Sequence, residues 1–224
     1  MTAAMVPDYP ATSDRSRGWL RYLYRKATTP DNWNKDSQPH PHWDDITNEP
    51  LASWHRMDLV RNSMALPLLA NRTPAWRETY GCILDELCVR FTGYWMAKDW
   101  LDQIGDDPSR SQYPEEWYQK LIPPFLRGQY DVPGWTANGV EPWGLQNDPI
   151  AADGALFIKG DFLMVLGFHL YVTGDKKWNR PFDMIRNGSD TFTWTHTEIA
   201  ECLFSQLTKR PEGVHCENTK IWPM

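Results

Sequence analysis

Apolar residues recur at helical spacing over most of the chain. Between residues 74 and about 92 they return every three or four positions, which predicts a core-facing helix with Thr73 as its N-cap and Pro74 at its first position. The same periodicity predicts helices from Ser13 to Lys26, over 51–71 with a kink or an end at Pro67, over about 114–122, and from about Thr195 to Thr208. No segment shows a convincing alternation of strand type, so the pattern indicates an all-α protein.

The most apolar stretch runs from about Gly154 to Gly174 and covers most of a helix circumference. A helix that is apolar nearly all round is expected to be buried. Lys159 and Asp161 interrupt this stretch, and a buried charge must be paired or used. The two residues are therefore either a Lys–Asp pair that braces the helix or an acid/base group that faces an apolar cavity.

Loops account for much of the rest of the chain. Residues 28–50 are polar and rich in proline, and most of 101–153 lacks helical periodicity. So long a loop is uncommon unless it covers a site, so we interpret 101–153 as a lid or rim. The length supports a single core, which predicts a disordered arm over residues 1–12 and one helical domain over 13–224.

The composition and net charge of the chain restrict the classes of function it can have. The chain has 224 residues with thirteen Trp and eighteen Pro, which indicates either an aromatic-lined cavity or large core residues. A net charge of −6 argues against a surface for nucleic acid or anionic membrane. No run of eighteen uninterrupted apolar residues and no signal-peptide pattern occurs, which predicts a cytoplasmic protein without a membrane span. In that compartment Cys82, Cys88, Cys202 and Cys216 are expected to be thiols.

Three segments resemble the linalool dehydratase/isomerase family. The first is the sequence DPI at 148–150, then a short polar spacer, then an apolar helix with KG at 159–160 and LYVTG at its end. The second is GVHCE at 213–217, which follows a helix and is similar to the cysteine loop of that family. The third, weaker, is the helix that opens at Thr73 and runs to Trp100. The resemblance extends from about Leu51 to Met224.

The resemblance implies a fold and an activity. The fold is an (α/α)6 toroid, of which about six helices with long covering loops are expected here, so that the chain is apparently truncated on its C-terminal side. The activity is dehydration, hydration or hydroxyl isomerisation of a terpenoid alcohol by acid/base catalysis without a cofactor. The implied partners are a small apolar alcohol as substrate and further copies of the chain in a homo-oligomer.

The resemblance also implies site residues. Cys216 matches the loop cysteine that takes part in proton transfer near the substrate hydroxyl. Asp161 stands where the family has a histidine, and a carboxyl group can also transfer a proton. By spacing, Asp31 corresponds to the catalytic aspartate and Met57 to an active-site tyrosine, although Met57 cannot donate a proton. The second family cysteine would fall one position beyond Met224, which suggests a fragment or a lineage that has lost this half.

Several of these residues have simpler interpretations. His215 and Glu217 could set the protonation of Cys216, but Cys216 could equally be a loop cysteine without a role. Trp95, Trp100 and Trp143 are candidate walls of a substrate cavity, or plain core residues. The loop that contains His40, His42, Asp44 and Asp45 could recruit a metal, but we favour an ordinary solvated loop and predict no metal site.

Two further function classes stay open. One is a catalytically inactive or truncated family member that binds a terpenoid or a partner chain, which Met57 and the missing cysteine favour. The other is a sugar-active (α/α)6 enzyme, but no pair of carboxylates stands at a definable spacing. Nucleotide-binding loops, serine-hydrolase elbows and HExxH motifs do not occur in the sequence.

Overall fold

The computed structural model describes residues 9–28, 54–93, 101–102, 114–121, 136–137, 140–141, 144–152, 156–186 and 190–210. These ranges are mostly helical. The helices are α1 (Asp14–Thr28), α2 (Trp54–Ser63), α3 (Leu66–Arg72), α4 (Arg77–Phe91), α5 (Glu115–Leu121), α6 (Leu156–Thr173) and α7 (His196–Lys209). Short 3₁₀ turns cover Pro74–Trp76 and Lys177–Asn179.

The strands form antiparallel pairs. They are β1 (Leu101–Asp102), β2 (Thr136–Ala137), β3 (Val140–Glu141), β4 (Gly144–Leu145), β5 (Phe182–Arg186) and β6 (Asp190–Trp194). Strand β1 pairs with β2, β3 with β4, and β5 with β6. Of the strands in the described ranges, β5 and β6 alone have five residues. The β5–β6 hairpin is fixed to the end of α4 because Ile185 N donates to Thr92 O at 2.7 Å.

The core lies between α4 and α6, with α1, α2 and α3 packed around them. The ring of Phe91 on α4 stacks on that of Phe162 on α6 at a centroid distance of 5.1 Å. The two helices also approach closely at Gly81, where an added Cβ atom would lie 2.7 Å from Thr173 Cγ2. Glycine therefore sets the distance between these helices, because any larger residue would push against α6.

The predicted helical character is confirmed, and most boundaries agree with the sequence. The break near Pro67 is real: α2 ends at Ser63, and α3 begins at Leu66 with Pro67 in its first turn. The capping residue Thr195 is also confirmed, because its Oγ1 accepts from Glu198 N at 3.1 Å. The complete toroid stays a prediction, which the described elements do not test.

Two local predictions were wrong. The chain is not all-α, because the β5–β6 hairpin forms where no alternation was convincing. Thr73 makes no side-chain cap: it donates to Leu69 O at 2.9 Å and shares a hydrogen bond with the Tyr80 hydroxyl at 2.6 Å. The hydroxyl pairs with these buried partners instead, and the turn Pro74–Trp76 comes before α4.

One described helix, α6, has the length and hydropathy of a membrane span. Half of that window is buried inside the structure, and it contains Lys159 and Asp161. Core helices pass the same test, so α6 gives only weak support for a membrane span and fits a core helix of a folded domain.

Candidate functional site

Helix α6 carries three buried polar side chains. Lys159, Asp161 and His169 have exposed fractions of 0%, 6% and 3%. Residues two positions apart on a helix do not face each other, so Lys159 and Asp161 point to different neighbours. His169 lies about two turns further along. The helix therefore contributes to two polar clusters, one near its start and one near its end.

Lys159 holds α6 to α7 and to the turn before α6. Its Nζ donates to Ala152 O at 2.5 Å and to Gln206 Oε1 at 2.6 Å. The Gln206 amide in turn donates to Ala151 O at 3.1 Å and to Ala152 O at 3.0 Å. Lys159 thus braces α6 through the Gln206 amide and the Ala152 carbonyl, and these recorded contacts do not involve Asp161.

Asp161 faces helix α2. Its Oδ1 lies 3.8 Å from an Arg61 guanidinium nitrogen, and the Arg61 side chain is 54% exposed while that of Asp161 is 7% exposed. A cation at this distance favours the ionised form of a carboxyl group. Burial of the Asp161 carboxyl group acts in the opposite direction, so its two environments compete. Such a group can accept a proton from a bound molecule.

Asp148, the first residue of the DPI sequence, has a structural role. Its Oδ1 accepts from Ile150 N at 2.9 Å and from Ala151 N at 3.3 Å. The Trp194 indole donates to its Oδ2 at 3.1 Å. Asp148 thereby closes the turn that supplies the carbonyl groups for Lys159, and it fixes that turn to strand β6.

Two of the predicted site positions lie within the described helices, on α2 and on α6. Met57 lies on α2 one turn before Arg61, and Arg61 contacts Asp161 on α6. The recorded approach between α2 and α6 is that of the Arg61 side chain to Asp161. The other predicted site residues lie outside the described ranges: Cys216, Asp31, Trp95, Trp100 and Trp143.

A second polar cluster was not predicted. A groove of about 580 Å³ runs along the junction of α4 and α6 and is lined by charged and small residues. Within it, Asp85 Oδ1 lies 3.5 Å from His169 Nε2 and also forms an ion pair with Lys177. The contact with Lys177 lacks hydrogen-bond geometry. The lining residues are Arg77, Glu78, Gly81, Cys82, Asp85, His169, Thr173, Asp175 and Lys177.

Burial controls the protonation of His169. Removal from water lowers the pKa of His169 below its ordinary value, the Asp85 carboxylate acts in the opposite direction, and the Lys177 ammonium lowers it further. Among the described residues, His169 Nδ1 has no hydrogen-bond partner. The sequence did contain a signal, since Asp85 lies next to the apolar stripe of α4 and His169 lies within the apolar run of α6. Nothing in the sequence, however, indicated that the two stripes face each other.

The cysteines of the described core are poor nucleophiles. Burial raises the pKa of Cys88 well above its ordinary value, and burial together with Glu86 and Asp85 raises that of Cys82. Both thiols are therefore protonated at neutral pH, and a thiol reacts far more slowly than a thiolate. Cys88 lies in the core, whereas Cys82 is partly exposed and borders the groove.

Metal ligands do not converge in the part of the chain that the structure describes. No group of three or more His, Cys, Asp or Glu side chains there could hold a metal ion. The loop with His40 and His42, which we weighed as a metal site, lies outside these ranges.

Comparison with known proteins gives no match: neither a family model, nor a curated protein, nor a solved structure is similar to this chain.

Proposed function

We propose that this chain is a linalool dehydratase/isomerase-like protein that adds, removes or shifts the hydroxyl group of a terpenoid alcohol by acid/base chemistry. In this proposal the helices belong to an (α/α)6 toroid, and the apolar substrate lies near the start of α6. The catalytic groups are Asp161 and Cys216, and Asp31 orients them.

The observation that carries the proposal is the contact between α2 and α6. The resemblance assigns positions 57 and 161 to one active site, although they are distant in the sequence. In the structure, Arg61 lies one helical turn after Met57 and reaches to within 3.8 Å of Asp161. A buried carboxyl group with an arginine guanidinium 3.8 Å away supports an acid/base role for Asp161.

The chemistry follows from the charge of Asp161. Because Arg61 favours the ionised carboxylate, Asp161 is the base that takes a proton from the carbon next to the one that bears the hydroxyl. Cys216 is the acid that protonates the hydroxyl, which leaves as water while the carbon–carbon double bond forms. The two groups have then exchanged protonation states, and hydration follows the same steps in reverse.

A catalytically inactive binding protein is the alternative. Met57 favours it, because a thioether cannot donate a proton where the family has a tyrosine. In that case the chain would bind a terpenoid or a partner chain through the same apolar region without catalysing a reaction.

The test is a dehydration and hydration assay on a panel of terpenoid alcohols with the purified chain. The variant Asp161→Asn should lose at least about a hundredfold in rate, because the amide cannot accept the proton. Cys216→Ala should lose activity as well, and Arg61→Met should lose part of it. Asp14→Asn is the control, because the Asp14 side chain is 94% exposed and far from α6 in sequence.

Three results decide between the proposals. Full activity in Asp161→Asn would exclude Asp161 as the base. No turnover by the natural chain, combined with a rise in Tm in the presence of an isoprenoid alcohol, would favour the inactive binding protein. No turnover and no such rise with any alcohol would reject both proposals.

A further inference from the structure

Three segments of the chain meet at one carboxylate oxygen. Asp85 Oδ1, on α4, contacts Lys177 and lies 3.5 Å from Nε2 of His169 on α6. Lys177 belongs to residues 174–181, which connect α6 to strand β5 and which we call the connector. The His169 side chain is 4% exposed, whereas those of Asp85 and Lys177 are 34% and 35% exposed.

Lys177 and protonated His169, the two cationic partners of Asp85, differ in the free-energy cost of carrying their charge. Lys177 borders water and can regain its hydration when it leaves Asp85. A protonated His169 is enclosed by the core, so its charge is tolerable only with a carboxylate beside it. Both would use the same Oδ1, so full pairing with one weakens the contact with the other.

We propose that protonation of His169 transfers Asp85 from Lys177 to His169 and thereby releases the connector from α4. Asp85 then acts as a proton-dependent clasp: at neutral pH it holds the connector, and at acidic pH it neutralises the buried imidazolium. The transferred proton comes from solvent, and no bond other than N–H is made.

The other charges around His169 are consistent with this exchange. The groove is lined by Arg77, Glu78 and Cys82 from α4 and by Asp175 from the connector. Helices α3 and α7 also pack on α6, but none of their described side chains lines the groove. Arg77 is engaged elsewhere, since it donates to Val172 O at 3.0 Å and to Ala70 O at 3.3 Å. Asp85 is thus the only described acid within ion-pair distance of His169.

The connector is coupled to the core through Trp178. The Trp178 ring packs edge-on against His169 with 6.5 Å between ring centroids and against Phe182 with 5.1 Å. Lys177 Nζ lies 5.0 Å from the centroid of the Trp178 ring. Loss of the Lys177–Asp85 contact therefore loosens the backbone that positions Trp178 and the start of β5.

The competition is tested first by NMR titration of the histidine ring protons in the full chain. The His169 resonance is assigned by its loss in His169→Gln. Lys177→Met should raise the pKa of His169, because the competing cation is gone, and Lys176→Met is the matched control, since Lys176 is the exposed neighbouring residue. An equal pKa of His169 in both lysine variants would overturn the competition.

Release of the connector is tested by hydrogen exchange followed by mass spectrometry. After correction for the intrinsic pH dependence of exchange, peptides over 174–181 should lose protection as the pH falls through the measured pKa of His169. Peptides from α4 should not. In Lys177→Met, protection over 174–181 should already be low at neutral pH. Retained protection in the natural chain below that pKa would overturn the proposal, even if His169→Gln failed to fold.

Discussion

Lys159 Nζ donates to Gln206 Oε1 at 2.6 Å, with both residues buried. This contact joins the start of α6 to the last turn of α7. A lysine without exposure keeps its charge only where acceptors replace its lost hydration. Here the acceptors are the Gln206 side chain and the carbonyl of Ala152, so the contact is a structural fastening.

Because of this hydrogen bond, we expect substitutions of Gln206 and Lys159 to lower the free energy of unfolding by different amounts. Gln206→Leu should lower the free energy of unfolding by about 2–3 kcal/mol, because a buried ammonium group loses an acceptor. Lys159→Met removes the charge itself and keeps a similar volume, so it should cost less than about 1.5 kcal/mol. Urea unfolding measures both, with Lys176→Met on the surface as control. A larger loss in Lys159→Met than in Gln206→Leu would contradict this account.

Replacing Gly by Ala inside a helix usually stabilises the protein. The close approach of α4 and α6 predicts the opposite effect at Gly81. Gly81→Ala should destabilise the protein by about 1–3 kcal/mol, since its Cβ would lie 2.7 Å from Thr173 Cγ2. Thr173 cannot simply rotate, because its Oγ1 donates to His169 O at 2.7 Å and accepts from Asp175 N at 3.0 Å.

Two variants control this prediction. Gly167→Ala has no atom within 4 Å of the new Cβ, so it should stabilise α6 by about 0.5–1 kcal/mol. Adding Thr173→Ser to Gly81→Ala removes the opposing methyl group and should restore most of the lost stability. Thermal unfolding of the three variants gives the comparison, and no rescue by Thr173→Ser would show that the clash lies elsewhere.

Acid should destabilise the protein through its buried histidines. Burial lowers the pKa of both His169 and His196 below the ordinary value of 6.5. As the pH falls below about 6.5, the unfolded chain binds protons that the folded chain does not, so the free energy of unfolding decreases. This loss continues until the pH reaches the folded pKa values, and full stability is present above pH 6.5.

The measurement is the free energy of unfolding at several pH values between 5.5 and 7.5 for the natural chain, for His169→Gln and for His196→Gln. In each variant the free energy of unfolding should decrease less as the pH falls, because one histidine with a lowered pKa is absent. A slope in His169→Gln equal to that of the natural chain would contradict the assignment.

Asp148 should matter for stability through its turn. Asp148→Ala removes the acceptor for Ile150 N and for the Trp194 indole, which predicts a loss of roughly 1–3 kcal/mol. Asp148→Asn is the matched variant and should cost less, since its amide oxygen can still accept from Ile150 N. Equal losses would mean that the charge, and not the hydrogen bonds, closes the turn.

The helices were the easiest elements to predict because their apolar positions repeat within a few residues. The stripe on α4, the interruption at Pro67 and the cap at Thr195 are all local patterns. The β5–β6 hairpin was missed because each strand has only five residues, although β6 does alternate between partly buried and exposed positions. Its attachment to Thr92 also involves a distant part of the chain.

The candidate site was predicted only in part. That Lys159 and Asp161 are special followed from two charges inside an apolar run. Which partner each has did not follow, since Gln206 and Arg61 are distant in the sequence and neither stands in a motif.

The sequence by itself determined that α6 is a central apolar helix with charges that need partners, because burial of a charge has a cost wherever the helix packs. Only the tertiary structure decided that Lys159 serves stability, that Asp161 meets Arg61, and that His169 shares Asp85 with Lys177. The physical reason is that helical periodicity is a property of neighbours in the chain. The partner of a buried charge is instead set by the packing of helices whose order in space the periodicity does not contain.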